Sequence, residues 1–518
     1  MKKYYLNIII LIILFGCKKE TIVNTNNGEI ETIKINKAII RLYKNKSFID
    51  FYNFKNNQTV WKSKKNRDTI LETIRNCDIE GLNPDDYNIQ RLLKLERKID
   101  DLDEKELIHY DLALTYNFQK YLAHLHNGKL NPKKLYHNWD LKIKKLDTKT
   151  VLINALENNS LSNEIKNCQP KALTYQKLIK ALSIINQLPN DKTDSINSSE
   201  KIEPFTSNPS IITLKQKLMY WGDLNKTDSI SPYFNKKTID AVKKFQVRHG
   251  IKPDGVINKN TITALNLTKE ERKHQIIANL ERWRWFSRPF AQNYVLINIP
   301  DFNLNVVENQ SKVMTKKIIT GKADRKTPVL TSILQTIVFN PTWTVPPTIL
   351  KEDLLPEFIK NRNSLKNKNI AIYDYKNRKV DPLKWNEKRP NGYRYVQEPG
   401  YYNSLGVVKI NFPNHHSVYL HDTNHRNLFD RNDRSLSSGC VRIQTPLELV
   451  ELLLDNPKQF SKAKIDSIIA TKKTLFIGIK KRYAIYLWYW TAWSENNKLI
   501  FRNDIYNLDA GLYNQLRN

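Results

Sequence analysis

The sequence predicts a multi-domain α+β protein: a helical scaffold, a small three-helix unit, and a β-rich C-terminal domain with an inserted cap. Three observations carry that prediction. The chain has 518 residues, 40% of them hydrophobic and 10% aromatic, enough for roughly two to four domains with cores of their own. Apolar residues recur at three- and four-residue spacing through the first third, as in Ile108-His109-Tyr110-Asp111-Leu112-Ala113-Leu114 and on to Leu125. After about residue 290 the pattern changes to short β-branched runs such as Tyr294-Val295-Leu296-Ile297-Asn298-Ile299.

The N-terminus reads as an export signal. Lys2 and Lys3 precede an apolar run from Leu6 to Phe15, too short to span a bilayer comfortably. Leu14-Phe15-Gly16-Cys17 resembles a bacterial lipobox, although Phe15 is bulkier than usual there. That resemblance implies a signal over 1–16, lipid on Cys17, and a polar tether over 17–37. The protein is then expected in the cell envelope, on the periplasmic side, anchored to a membrane by its N-terminal lipid. The alternative is an ordinary signal peptide with an incidental cysteine.

Residues 38–190 are read as a helical scaffold, punctuated by Gly81-Leu82-Asn83-Pro84 and Gly128-Lys129-Leu130-Asn131-Pro132. A polar linker or long loop follows over 188–207. The small unit, 208–268, holds Ala241-Val242-Lys243-Lys244-Phe245-Gln246, His249-Gly250-Ile251 and Asp254-Gly255 in order. Ala241, Val242 and Phe245 share one helix face, and Gly250 and Gly255 permit tight turns. The succession resembles the three-helix peptidoglycan-binding domain, which implies glycan as a partner or, where affinity has been lost, a spacer role. The β-rich domain covers 290–480, with a cap inserted at about 349–402, and 481–518 is expected to pack on it as an extension.

The formal charge is +32, a field that draws polyanions. Lys, Asn and Ile are abundant throughout, however, which fits biased codon usage equally well, and no nucleic-acid-binding motif stands out. Cys17, Cys77, Cys168 and Cys440 are the four cysteines. An exported protein permits a Cys77–Cys168 disulfide without their spacing demanding it. Cys440 then remains as a thiol in need of a functional explanation.

That explanation lies in His421-Asp422-Thr423 and Ser437-Ser438-Gly439-Cys440-Val441-Arg442. A strand through Val418-Tyr419-Leu420 would deliver His421 to a sheet end, and Gly439 would turn the backbone sharply before Cys440. A thiol attacks as thiolate, and a nearby imidazole can take its proton. Backbone N–H groups around Gly439 and Cys440, with the Ser438 hydroxyl, are candidate oxyanion donors. Arg442 can bind a substrate carboxylate or hold the turn through backbone carbonyls. Trp343, in Asn340-Pro341-Thr342-Trp343, and Tyr419 line a groove or belong to the core. His415, His416 and His425 fall in turns and polar loops, and their surroundings show no metal-ligand spacing.

The combined pattern resembles the L,D-transpeptidase catalytic domain, whose histidine stands in H-x-T and whose cysteine stands in [S/T]-x-G-C-[I/V]-R. The resemblance carries onto His421 as base and Cys440 as nucleophile. Many members have histidine where Ser438 stands here, so base duty falls on His421 alone. Scaffold, binding unit and capped catalytic domain in this order resemble the large multi-domain branch of the family. The resemblance implies cross-linking of third-position residues in peptidoglycan stem peptides by a monomer that needs no cofactor or metal. Release of the acyl group to water, as an L,D-carboxypeptidase, or to a protein amine stays open. So does a non-catalytic peptidoglycan-binding lipoprotein.

Overall fold

Asn, Asp and Thr residues ahead of apolar-periodic runs set many of the helix starts. Asn45, for example, accepts a hydrogen bond from Phe48 N at 3.2 Å and opens the helix Lys46–Phe54. The computed structural model describes residues 28–141, 145–197, 201–286 and 289–518, which divide into two units. Residues 1–27, with the expected signal, Cys17 and most of the tether, lie outside the described residues.

The first unit takes residues 28–78, 83–125 and 145–169. Its spine is the helix Glu104–Asn127. Asp111 on that helix is buried and accepts from Tyr52 Oη at 2.6 Å and from the backbone N–H of Val60 and Trp61, both at 2.8 Å. Burial raises its carboxyl to about 6 despite those donors. Cys77 and Cys168 are both buried in this unit. The described end of the expected tether is not loose: Ile30, Ile33 and Ile35 are buried, and Ile35 N donates to Asn57 O at 2.8 Å. Isoleucines this closely spaced fill the unit's core, which a solvated tether would not do.

The second unit takes the remaining described residues. The helix Leu173–Gln187, read from sequence as part of the scaffold, groups with this unit and packs on Lys269–Arg284. The small unit forms the helices Ser210–Tyr220, Lys236–Arg248 and Lys259–Asn266 around Leu214, Leu218, Val242 and Phe245. Gln246 is fully buried and braces the following turn, accepting from Gly255 N and donating to Val256 O, both at 2.9 Å. Part of the expected linker is packed on this core through Ile196 and Ile202.

The C-terminal domain is built on a 12-stranded sheet. In chain order its main strands are Asn293–Asn298 (β1), Asn303–Glu308 (β2), Ser311–Gly321 (β3), Val329–Ile333 (β4) and Thr336–Phe339 (β5). Then come Val408–Asn411 (β6), Leu420–His421 (β7), Ser435–Ser437 (β8), Val441–Ile443 (β9), Leu475–Gly478 (β10) and Ala484–Trp488 (β11). The spatial order is Trp139–Asp140, β4, β11, β1, β2, β3, β9, β7, β6, β5, β10, with β8 beside β3. Residues 481–518 therefore do more than pack on the domain, because β11 runs between β4 and β1.

The insertion between β5 and β6 has its own four-stranded sheet, which starts at Trp343–Thr344, before the expected boundary. It also has its own core, including Val345, Leu354, Phe358, Ile372, Trp385 and Tyr395. A separate core allows the insertion to hold its shape as a cap.

Candidate active site

Period-two alternation sorts the site. β7 and β9 run parallel, with Leu420 opposite Val441 and His421 opposite Arg442. Val441 N donates to Tyr419 O at 3.1 Å, extending the pairing one residue back. Leu420, Val441 and Ile443 face the hydrophobic core. The alternate residues Tyr419, His421, Cys440 and Arg442 therefore share the other face. β6 adds Lys409, paired directly with His421. Lys409, His421 and Arg442 thus form one row across three strands, with Tyr419 and Cys440 beside it.

The turn before Cys440 needs its glycine, because Gly439 sits at φ +111. Its carbonyl accepts from Thr327 Oγ1 at 2.9 Å, and Ser437 Oγ donates to Cys440 O at 2.6 Å. Gly439 N–H is committed to Ser437 Oγ at 3.2 Å, and the exposed Ser438 hydroxyl accepts from Arg325 Nη1 at 2.9 Å. Of the expected oxyanion donors, Cys440 N–H is the group left without a partner among the described residues.

His421 is buried, and its Nδ1 lies 2.5 Å from the backbone oxygen of Asp422. A carbonyl only accepts, so Nδ1 carries the hydrogen and Nε2 presents its lone pair. Burial, then the guanidinium of Arg442 and the ammonium of Lys409, hold the imidazole down to about 3, against the pull of the Asp422 carbonyl. Asp422 itself is structural: its carboxylate accepts from Val407 N and from Arg426 Nη2, both at 3.1 Å.

Burial pushes the Cys440 thiol up, while the backbone N–H of Tyr419, Lys409, the Tyr419 hydroxyl and Arg442 draw it back. Burial raises the Tyr419 hydroxyl far above its ordinary value, and the neighbouring Cys440 sulfur adds to the rise while Trp343 opposes it. Trp343 and Tyr419 are half-buried; Trp343 packs against the cap's core, and Tyr419 lies on the site face of β7. Arg442 makes no hydrogen bond to the turn's carbonyls, and its buried Nε has no partner. His415 and His425 are exposed and stand apart from this row.

Two residues were not legible beforehand. Lys409 alternates with buried Val408 and Ile410, a pattern that ordinarily signals a solvent-facing lysine. Arg325 lies in a polar loop, yet joins three elements. It donates to Glu352 Oε2 from Nη2 at 2.6 Å, to both oxygens of Asp353 at 2.5 and 2.8 Å, and to Ser438. Glu352 and Asp353 belong to the cap, so this guanidinium ties the cap to the turn that carries the thiol.

The architecture is that of a thiol and a neutral imidazole on one face of neighbouring inner strands of a sheet with an inserted cap. Residues 292–464 match the L,D-transpeptidase catalytic domain family, 207–265 match a "Putative peptidoglycan binding domain" and 46–182 match a scaffold domain. The chain therefore carries an L,D-transpeptidase catalytic domain preceded by scaffold and peptidoglycan-binding domains. A curated relative from Haemophilus influenzae, described as a "Putative L,D-transpeptidase", is 34% identical over 246 residues, 47% of this chain and 50% of the relative. The match spans about half of that relative's length. Solved L,D-transpeptidases from Xylanimonas cellulosilytica and Stackebrandtia nassauensis are each 13% identical, with TM-scores of 0.17 and 0.21. They cover 56% and 57% of this chain and 98% and 97% of their own. At those scores they carry no argument, and the description of the fold rests on its own topology.

Proposed function

We propose that the protein is a Cys440-dependent L,D-transpeptidase that cross-links third-position residues of peptidoglycan stem peptides. The observation that carries this reading is the shared face of Cys440 and His421, with Nε2 of the imidazole unprotonated. In this scheme Nε2 takes the thiol proton as Sγ attacks the carbonyl of the L-centred third residue of a donor stem. Cys440 N–H stabilises the oxyanion. The C–N bond to the terminal D-alanine breaks, its amine leaves with the proton held by His421, and a thioester remains. The amine of a second stem's third residue attacks the thioester and gives its proton to His421. The thiolate leaves and regains that proton, and the free enzyme returns. Arg442, with no internal partner, is the candidate anchor for a stem carboxylate.

The cap favours transpeptidation over hydrolysis by limiting water at the thioester. The small domain binds glycan and holds the catalytic domain on its polymer, Cys17 carries the membrane anchor, and the enzyme works as a monomer. The test is to incubate purified protein with disaccharide-tetrapeptide and analyse products by mass spectrometry. Cross-linked dimer supports the reading, and tripeptide without dimer replaces it with an L,D-carboxypeptidase. Absence of dimer, tripeptide and carbapenem acylation of Cys440 leaves a non-catalytic wall-binding protein.

A further inference from the structure

The row across β6, β7 and β9 places a cation on either side of the imidazole, and this raises the question of which group balances a negative sulfur. Lys409 Nζ lies 3.8 Å from the centroid of the Tyr419 ring. Tyr419 in turn stands level with Cys440 across the β7–β9 pairing, and its hydroxyl acts on the Cys440 sulfur. Lys409 is half-buried and makes no ion pair or hydrogen bond with any described carboxylate. A partly desolvated ammonium without a carboxylate is costly unless another negative group faces it. In this site the group that acts on Lys409 in that way is the Cys440 sulfur once it gives up its proton.

We propose that Lys409 is a positioning residue for the Cys440 thiolate: seated on the Tyr419 ring, its ammonium supplies the countercharge that the neutral His421 does not carry. The assignment rests on the reading of Cys440 as the nucleophile. It also divides labour within the row. The field of Lys409 acts on the thiol more than that of Arg442 does, whereas Arg442 acts on His421 more than Lys409 does. The other groups acting on the sulfur are the Tyr419 backbone N–H and hydroxyl and Arg442, and Sγ lies 4.0 Å from the Ser417 carbonyl oxygen, while Arg325 beyond Ser438 is neutralised by Glu352 and Asp353. Because both cations oppose a proton on His421, the imidazolium formed during attack is a strong acid toward the departing amine.

The test follows alkylation of Cys440 by iodoacetamide across the neutral to alkaline range, using the full chain and mass spectrometry. In Lys409→Met and Lys409→Gln the midpoint moves alkaline by about one pH unit, a ~10-fold slower reaction at neutral pH. Lys409→Arg restores the unmodified profile. An unshifted midpoint in a neutral variant that keeps its circular dichroism overturns the proposal, as does an Arg variant that behaves like Met. If neither neutral variant folds, Arg442→Gln protein with Lys409 intact decides the matter. A rate preference for iodoacetate over iodoacetamide, above that of free cysteine, supports the assignment, and no preference overturns it. Alkylation needs no peptidoglycan. A midpoint shift without cross-linking therefore removes the transpeptidase reading alone, and cross-linking without a shift removes the Lys409 assignment alone.

Discussion

Two buried histidines in the second unit look alike but sit in different surroundings. His249, in the small helical domain, sets Nδ1 2.8 Å from Phe245 O, and His421, in the sheet, sets Nδ1 2.5 Å from Asp422 O. Burial and neighbouring cations depress both, which keeps both rings neutral. What differs is the rest of the surroundings. His249 stacks on Phe245 at 3.8 Å and faces Phe501 at 5.7 Å, sealed where the small domain meets the C-terminal hairpin. Arg248 on the same helix continues that junction, donating to Leu499 O at 2.9 Å. His421 instead shares a sheet face with a thiol. Burial and tautomer therefore do not single out a candidate catalytic histidine, whereas a thiol on the same sheet face does.

Substitutions can break that comparison, beginning with the largest effect. If the thiol forms the acyl bond as proposed, Cys440→Ala lowers cross-link formation by more than about a thousandfold while circular dichroism is unchanged. His421→Gln reduces turnover by ~10²–10⁴ with little change in melting temperature. His249→Gln does the reverse, costing about 1–3 kcal/mol of stability with turnover kept below the melt. Turnover and thermal melts on the two variants check this pair together.

The same pair predicts an acid response. An unfolded chain protonates histidine near its ordinary 6.5, whereas the folded protein holds His421 at about 3 and His249 well below 6.5. Stability is therefore complete above that ordinary value and is lost as pH falls toward the folded values, because the unfolded state binds more protons. His249→Gln flattens this acid slope in melts recorded across mildly acidic pH.

Gly439→Ala strains the turn by about 1–3 kcal/mol, because φ +111 is unfavourable for a side chain. It slows acylation more than it lowers the melting temperature, measured as the rate of carbapenem adduct formation. The smallest effect comes from the cap. Glu352 and Asp353 are half-exposed, and exposed pairs contribute ~0.2–1 kcal/mol, so Glu352→Gln with Asp353→Asn raises the tripeptide-to-dimer ratio by about two- to five-fold.

Much of this was legible in the chain. Ser438-Gly439-Cys440 and His421-Asp422-Thr423 signal their site through local residue types, and the three-helix domain signals itself through Phe245, Gly250 and Gly255. Lys409 and Arg325 were silent because their roles arise from strand register and loop approach, which no local window contains. The oxyanion donors illustrate the same limit. Gly439 and Ser438 were reasonable candidates until their N–H and hydroxyl proved to be engaged elsewhere. The isoleucines at 30, 33 and 35 stood in a polar stretch, and only their burial shows that they are core.

One strand has a consequence for how such a protein is made. β11 arrives late in synthesis, yet it fills a slot between β4 and β1, which are formed much earlier. Until it docks, both neighbours keep an open edge, and the pairing is long-range and therefore slow. A nascent chain that already contains Cys440 and His421 would still have an unfinished sheet beneath them. Sheet completion, and with it the setting of Cys440 and His421, therefore waits for the last part of the chain.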